Sequence, residues 1–406
     1  MKQALSCGLI VARDLADLHL STLEKLEAEG VLRLCCVAFM GDDENSQKWK
    51  ARLEARGVHC YFDFQKFLEG EKDLDGVSIV TPIFSHQPMT AAALARGLFV
   101  YLEKPPVPLI QQLEALVGLD HRHKVVVGFE EMSSLQVRQL KQWRIEGALG
   151  EIHSIRTKVY WPQTQRDYES VPERGKMMYG DEPVFDGPAT HFLSHLLHSM
   201  MFLAGKNWGD FDVPAEVEGE FYRAAPIESY DTVCLRGKLE SGITFLYTGT
   251  HACPQRRGYR IELFGSKGNA WISNDGQELG NNCDLTMPPI PFPNPLLESY
   301  RNFVKFAQGR DSRPMTRLQD ARGYLLATNG GLMSSNGIHS INSEFIKSVG
   351  SEAETSYEVA DLGETMDRAF QEEKMFSELG VRWARKGHVV SVRSLRSIKL
   401  QDYMSH

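Results

Sequence analysis

The sequence has no long hydrophobic run, which excludes a transmembrane helix. A membrane-spanning helix needs about 20 mostly apolar residues in a row, and no stretch of the 406 residues approaches that length. The first residues, MKQALSCGLIV, also lack the longer apolar core and the small-residue cleavage site of a signal peptide. We therefore expect a cytoplasmic protein with no membrane partner.

Positive charge is scarce relative to negative charge. The chain has 45 Lys and Arg against 53 Asp and Glu, a net charge of −8, and no basic run or stripe. This pattern predicts that nucleic acid is not a partner. A hydrophobic fraction of 42% with 24% charged residues is typical of a globular protein and excludes disorder and fibres. Small-molecule chemistry is the activity to expect.

Cysteine is sparse as well. The seven cysteines are an odd number, form no CxxC pair and lie mostly in apolar runs. They are expected to be reduced core residues, which disfavours a disulfide framework or a structural zinc site.

The most informative stretch runs from Val77 to Pro106. Val77–Val80 is an apolar run ended by Thr-Pro, Gln87–Ala95 has helical spacing, and Phe99–Leu102 is a second apolar run. These parts predict a βαβ unit, whose ligands bind beyond the carboxyl ends of the strands. Lys104, which follows the second strand, is then either a solvated loop charge or an ammonium fixed in a ligand cleft.

The same stretch resembles one known family. Thr81-Pro82, then His86, then AlaLeuAlaArgGly, then GluLysProPro is similar to the Gfo/Idh/MocA family of NAD(P)-dependent oxidoreductases. The resemblance covers about residues 4 to 387 and implies that Lys104 is catalytic.

The resemblance also implies two domains. We expect an α/β Rossmann-like, doubly wound domain over residues 1–129 and an α+β domain over 130–387, with a tail over 388–406. The second domain should be an open, mostly antiparallel sheet with helices on one face, contributed near 130–150 and 296–335. Alternating strands between Ile152 and Ile272 agree with such a sheet. Homodimers or homotetramers through this sheet are the expected assembly.

The dinucleotide fingerprint departs from its usual form. Its three glycine positions fall on Val11, Arg13 and Ala16. The phosphate turn must be wider, or the cofactor must sit differently, or the half-site is degraded and no longer binds tightly. Arg13 is a candidate to neutralise a phosphate.

The acidic position after the second strand is Gly41, followed by Asp42 and Asp43. Gly41 removes the acid that rejects NADP and the two aspartates restore its charge nearby, so NAD is favoured over NADP as the cofactor. The residues expected to bind it are Ile10, Val11, Ala12, Arg13, Asp42, Thr81, Pro82, His86, Glu103 and Lys104.

A second group of residues follows Asp186. His191, His195 and His198 lie at i, i+4 and i+7, which puts them on one face of a helix. Such a stripe is a satisfied core, a metal site or a catalytic and substrate-binding row. No HExxH motif accompanies it, so we predict no metal. The resemblance implies that His195 is catalytic and that His191 replaces the family's usual aspartate; a core position remains open for His198.

The aromatic and charged loop after Tyr160 resembles a sugar site. The residues expected to contact substrate are Trp161, Arg166, Tyr168, Asp186, His191 and His198. His251 matches a family position near the cleft and has no assigned role.

These features predict an oxidoreductase acting on a small sugar-like substrate, namely a sugar, a sugar derivative or a cyclitol. His195 would remove the hydroxyl proton as general base, and Lys104 would stabilise the same oxygen. Two alternatives remain. One is a redox-assisted glycoside hydrolase or lyase with tightly bound NAD, and the other is a non-catalytic sugar or dinucleotide sensor.

Overall fold

The computed structural model describes residues 4–12, 15–191, 193–273, 275–287 and 294–404. The N-terminal third contains, in chain order, β1 (Leu5–Val11), α1 (Ala16–Ala28), β2 (Leu32–Phe39), α2 (Glu44–Glu54), β3 (His59–Tyr61), α3 (Phe64–Gly70), β4 (Gly76–Val80), α4 (Ile83–Ala95), β5 (Phe99–Leu102), α5 (Ile110–Leu119) and β6 (Val125–Val127).

The remaining elements are α6 (Leu135–Ile145), β7 (Ile152–Tyr160), α7 (Gln165–Glu169), β8 (Met178–Tyr179), β9 (Glu182–Pro183), α8 (Ser194–Ala204), β10 (Pro214–Arg223), β11 (Thr232–Leu239), β12 (Thr244–Thr250), β13 (Gly258–Gly265), β14 (Gly268–Ser273), β15 (Glu278–Asn281), α9 (Pro295–Ala307), α10 (Arg322–Ser335), β16 (His339–Ser340), β17 (Ile346–Val349), β18 (Ser356–Val359), α11 (Leu362–Glu372) and β19 (Val390–Ser391).

The chain forms two compact units. The first comprises the residues up to Val107, Gln112–Ser133 and Asn294–Ala321. Its sheet is parallel throughout, in the order β3-β2-β1-β4-β5-β6. Every residue of β1 and β4 is buried, because helices cover both faces of such a sheet. This is the strand order of a dinucleotide-binding Rossmann domain, and it confirms the predicted fold class.

Helix α9 differs from its predicted position. The sequence prediction placed it in the second domain, whereas in the structure it packs against the first unit. Tyr300 and Phe303 are buried there in the core formed with α1 and the parallel sheet, and Tyr300 stacks on Tyr101 with ring centroids 4.0 Å apart. Apolar spacing predicts that a helix has a buried face, but it does not identify the core that receives that face.

The second unit is built on a mixed sheet. It comprises Pro108–Gln111, Ser134–Pro293 and Arg322–His406, without the residues that the structure leaves undescribed. The strand order is β15-β14-β13-β7-β12-β11-β10-β16, and β19 also pairs with β10. Only the β7–β12 and β10–β16 pairs are parallel among its described strand pairs. The predicted, mostly antiparallel sheet domain is therefore present.

Both faces of this sheet are covered over much of its width. Helices α8 and α10 pack on one face, where α10 approaches so closely that a Cβ on Gly219 of β10 would lie 2.4 Å from the carbonyl oxygen of Gly331. The other face of the sheet was predicted to carry no helices. Over β7, β12, β11 and β10 it carries α11 and the segment 375–383 instead, with Met366 and Phe376 fully buried in the shared core.

Candidate functional site

Three neighbouring strands of the first unit end at the same edge of the sheet. Val11 of β1 is level with Val80 of β4, and Ile79 of β4 is level with Leu102 of β5. The residues that follow these strands are therefore brought together at the carboxyl edge, where ligands of such sheets bind. They are Ala12, Thr81, Pro82, Glu103 and Lys104, all predicted for cofactor binding.

The turn after β1 presents backbone groups rather than side chains to a ligand. The side chains of Ile10 and Val11 are buried in the sheet, and Ala12 donates its N–H to the carbonyl of Val80 at 2.8 Å. Arg13 lies outside the described residues. Helix α1 begins at Ala16, and no side chain of the described part of the chain caps it. The N–H groups of its first turn thus suit an anion.

The two aspartates after β2 have different roles. The Asp43 side chain caps α2 by accepting the N–H groups of Asn45 and Ser46 at 3.0 and 3.1 Å. Asp42 is exposed and accepts a hydrogen bond from Gln47. Asp42 therefore stays the acid predicted to meet a ribose.

Two exposed apolar residues near Asp42 did not feature in the sequence prediction. Met40 follows β2 and Phe62 follows β3, and both side chains are largely exposed. Large apolar side chains at the carboxyl ends of neighbouring strands suit the flat face of a base. The signal in the sequence was an apolar residue directly after each strand.

His86, predicted to bind the cofactor, lies with its ring between two backbone carbonyls. Because α4 begins at Ile83 rather than at Gln87, His86 lies near its start and is buried. Its Nε2 is 2.7 Å from the carbonyl oxygen of Thr81, and its Nδ1 is 2.9 Å from that of Pro105. Burial lowers its pKa to about 4, so the ring is neutral and can donate its single ring N–H to only one of these two carbonyls.

Lys104 lies within an acidic, buried environment. Burial raises the pKa of the Glu103 carboxyl, and the positive charge of Lys104 opposes this rise. The pKa of Glu130, which follows β6, is raised by burial and lowered by Lys104 in the same way. Glu130 was missed by sequence reasoning, because only the tertiary fold brings it near Lys104.

A buried polar chain runs beneath the same strands. His19 of α1 lies with its Nδ1 2.7 Å from the Tyr300 hydroxyl, which is also 2.6 Å from the Ser78 hydroxyl. Burial lowers the pKa of His19 to about 3, and the charge of Lys104 adds to this effect. The neutral ring thus fixes α1 and α9 to the strand that leads to Thr81.

In the second unit a buried carboxylate joins two histidines. Asp186 lies 3.2 Å from Nδ1 of His191 and accepts the N–H of Gly175 at 2.5 Å. His251 donates from Nδ1 to the carbonyl of Trp161 at 2.7 Å, since a carbonyl can only accept. Burial lowers the pKa of His251 to about 4, and Asp186 opposes this shift. The structure thus brings together three residues predicted to contact substrate, Asp186, His191 and Trp161. His251, to which the sequence assigned no role, joins them.

The three histidines of the stripe have different surroundings. His191 precedes α8 and is partly exposed, and His195 is partly exposed in the first turn of α8. His198 is fully buried, stacks on Phe211 with centroids 5.0 Å apart, and has its pKa lowered by burial to about 3. His198 therefore lies in the core of the second unit.

The other predicted substrate residues are also accounted for. Tyr168 is buried, and the guanidinium of Arg256 lies 3.4 Å from the centroid of the Trp161 ring. Arg166 is 68% exposed and pairs with Glu354 at 2.7 Å. Trp161 is hydrogen-bonded to His251 of the histidine cluster, and Tyr168 interacts electrostatically with Asp186.

Among the described residues, no three His, Cys, Asp or Glu side chains are arranged to hold a metal ion. Within that same part of the chain, no helix has the length and apolar character needed to cross a bilayer.

Two family models match the chain. The model of the oxidoreductase family with an NAD-binding Rossmann fold matches residues 31–131, and that of the GFO/IDH/MocA C-terminal domain matches residues 137–271. Inositol 2-dehydrogenase 4 of Saccharopolyspora erythraea is 32% identical over 115 residues, 27% of this chain and 33% of that protein. An uncharacterized oxidoreductase of Synechocystis is 22% identical over 232 residues, 54% of this chain and 59% of that protein. The chain thus matches less than two thirds of either relative.

Solved structures share the fold. The WlbA dehydrogenase of Bordetella pertussis, in complex with NADH and UDP-GlcNAcA, is 19% identical with a TM-score of 0.69, covering 82% of this chain and 96% of that one. The myo-inositol 2-dehydrogenase of Lactobacillus plantarum is 19% identical with a TM-score of 0.64, covering 82% and 97%.

Proposed function

The chain belongs to the Gfo/Idh/MocA family of oxidoreductases, and from this premise we propose that it oxidises a hydroxyl group of a sugar, a sugar derivative or a cyclitol with NAD or NADP. The observation that carries the proposal is Lys104. It follows β5 at the carboxyl edge of the parallel sheet, and it interacts electrostatically with the buried Glu103 and Glu130. The relatives named for inositol and nucleotide-sugar substrates support this substrate class.

The first unit has the groups that a dinucleotide requires. The first-turn N–H groups of α1 would hold the pyrophosphate, Asp42 the adenosine ribose, and Met40 with Phe62 the adenine face. NAD is favoured over NADP, because the exposed carboxylate of Asp42 would repel a 2′-phosphate.

Lys104 supplies a charge for the chemistry. The bound nicotinamide provides the acceptor for the hydride that leaves the carbinol carbon. The ammonium of Lys104 stabilises the negative charge that develops on the carbinol oxygen. The resemblance implies that His195 takes the hydroxyl proton.

A non-catalytic sensor is the second candidate. The buried side chain of Val11 occupies the first glycine position of the phosphate turn, and this favours weak dinucleotide binding. A redox-assisted hydrolase or lyase with tightly held NAD differs from both, since it would turn over a glycoside without net NADH production.

Binding calorimetry with NAD, NADH and NADP, after a check for cofactor retained from expression, tests the proposal. We expect micromolar binding, tighter for NAD than for NADP, followed by NADH production in a screen of sugars and cyclitols. If no dinucleotide binds and no cofactor is retained from expression, the proposal is overturned in favour of the sensor. Retained NAD with glycoside turnover and no net NADH would favour the hydrolase or lyase.

A homodimer or homotetramer through the second sheet is part of the proposal. Because α11 and 375–383 cover the face over β10, β11, β12 and β7, a second copy would use the part formed by β13, β14 and β15. Light scattering coupled to size-exclusion chromatography measures the mass, and a monomer at micromolar concentration would contradict this assembly.

A further inference from the structure

We propose that His191, held by Asp186, accepts the hydroxyl proton of the substrate in place of His195. The inference rests on the proposed function and names the proton acceptor of that reaction. It depends on the contact between His191 and Asp186 in the loop that leads into α8.

The loop before α8 places the two side chains together. Asp186 accepts the N–H of Gly175 through Oδ2, which leaves Oδ1 3.2 Å from Nδ1 of His191. The backbone N–H of His191 donates to the carbonyl of Gly187 at 3.1 Å. The carboxylate thereby favours the tautomer with the proton on Nδ1 and the lone pair on Nε2, as in other histidines oriented by a carboxylate.

The exposures of the two side chains differ in the direction that this role requires. The side chain of Asp186 is 9% exposed and that of His191 is 34% exposed. A buried carboxylate beside a more accessible imidazole orients the ring without itself meeting the substrate. Burial also raises the pKa of Asp186, and a more basic carboxylate binds the imidazolium more strongly.

Two neighbouring titratable side chains, His251 and Arg174, interact electrostatically with Asp186. The ring of His251 is neutral, because burial lowers its pKa to about 4 and its Nδ1–H is bound to the carbonyl of Trp161. Arg174 donates to the carbonyl of Asp167 and the hydroxyl of Ser170, both at 3.0 Å. Asp186 is thus the negative group of this cluster that contacts His191.

His195 has a different electrostatic setting. It lies in the first turn of α8, an 11-residue helix, where the positive end of the helix dipole disfavours a second positive charge on the ring. The two histidines are therefore suited to different tasks.

The proton and electron balance is simple. The O–H bond of the carbinol breaks and its proton passes to Nε2 of His191. A bound oxidised nicotinamide would supply the acceptor for the hydride of the same carbon, so that the carbinol becomes a carbonyl. The imidazolium then returns the proton to water.

The first test needs no substrate. Two-dimensional ¹H–¹⁵N spectra of the histidine rings report tautomer and pKa, and the His191 signal is the one lost in His191→Gln. We expect the Nδ1–H tautomer and a His191 pKa at least one unit higher in the wild type than in Asp186→Asn. An Nε2–H tautomer, or equal pKa values, would overturn the inference whatever the cofactor does. Should Asp186→Asn not fold, the tautomer in the wild-type protein decides.

The second test uses kinetics with a substrate from the screen. His191→Gln should lower kcat by 10²- to 10⁴-fold with NAD binding unchanged, and Asp186→Asn should move the acidic limb of the kcat/KM profile to lower pH. Free imidazole should restore part of the activity to His191→Ala. The exposed His153→Gln serves as control and should behave as wild type.

The result with His195→Gln separates the two histidines. Retention of the acidic limb in His195→Gln agrees with the inference, and its loss there but not in His191→Gln would refute it. If no dinucleotide binds, the proposed function fails by calorimetry, and the ring spectra still decide whether His191 and Asp186 form a pair.

Discussion

Lys104 and Asp42 show how single charged residues at one sheet edge acquire separate functions. Lys104 follows β5 among buried acids, where its charge affects Glu103, Glu130 and His19. Asp42 follows β2 in an exposed position. The strand order of the first unit separates them, so that one is suited to the reacting centre and the other to the ribose.

Replacing Lys104 by Met should remove charge stabilisation while preserving the fold. We expect kcat to fall by 10²- to 10³-fold with little change in NAD affinity, measured by steady-state kinetics and calorimetry. Lys72→Met, an exposed substitution in the same unit, is the control. A kcat within a few-fold of wild type would show that Lys104 is not catalytic.

Replacing Asp42 by Asn should change the cofactor preference. Without the carboxylate, a 2′-phosphate is no longer repelled, so the ratio of NAD to NADP affinity should fall by about tenfold, or about 1.4 kcal/mol. Asp73→Asn removes the same charge at an exposed site before β4, at the amino end of the strand, and should leave the ratio unchanged. An unaltered ratio in Asp42→Asn would exclude Asp42 from the ribose site.

At the scale of elements, α8 is fixed at its carboxyl end by a buried lysine. Lys141 of α6 is fully buried and donates to the carbonyls of Phe202, Gly205 and Asp210. The carbonyl of Phe202 lies in the last turn of α8, where it also accepts the N–H of Gly205 at 3.1 Å, and the other two carbonyls follow the helix. Lys141 therefore holds the helix that begins just after His191.

Lys141→Met should destabilise the protein by about 2 to 4 kcal/mol, because buried carbonyls lose their donor. Chemical denaturation measures this change. The control is Lys206→Met, which removes an exposed lysine near the same helix end. Equal stability of the two variants would show that Lys141 contributes no more than a surface lysine.

The sequence predicted the helices and strands better than it predicted the tertiary contacts between them. Strands β1, β4 and β5 and helix α8 follow from local periodicity, and the site edge follows from strand order. The predicted histidine stripe is wrong at one position, because α8 begins at Ser194 and His191 precedes it. The bonds of His86, the cap by Asp43 and the packing of α9 depend on residues distant in sequence, and spacing carries no information about them. The same holds for Glu130 and for the pairing of His191 with Asp186.

At the scale of the whole molecule, stability should depend on pH through Glu220 of β10. Glu220 is fully buried and accepts hydrogen bonds from the Tyr222 hydroxyl at 3.0 Å and from the Ser377 hydroxyl at 2.5 Å. Burial raises its pKa from 4.5 to about 7. The segment that covers the second sheet is thus joined to it by a group that titrates near neutrality.

The pKa of Glu220 is higher in the folded than in the unfolded protein. The stability that protonated Glu220 contributes is therefore complete below pH 4.5 and is lost as the pH rises to about 7. The loss amounts to about 1.4 kcal/mol for each pH unit within that window. Glu220→Gln should flatten the dependence of the unfolding free energy between pH 4.5 and 7, whereas Glu216→Gln, exposed on the same strand, should not. Identical slopes in the wild type and Glu220→Gln would contradict the assignment.

The discontinuity of both units has a consequence for synthesis on the ribosome. The first core includes Tyr300 and Phe303, and the second includes Phe376 and Trp383. A ribosome adding 5–20 residues per second needs roughly ten to thirty seconds to pass from residue 133 to residue 294. For that interval the nascent parallel sheet lacks α9, and its uncovered apolar surface is a target for chaperones until that helix emerges.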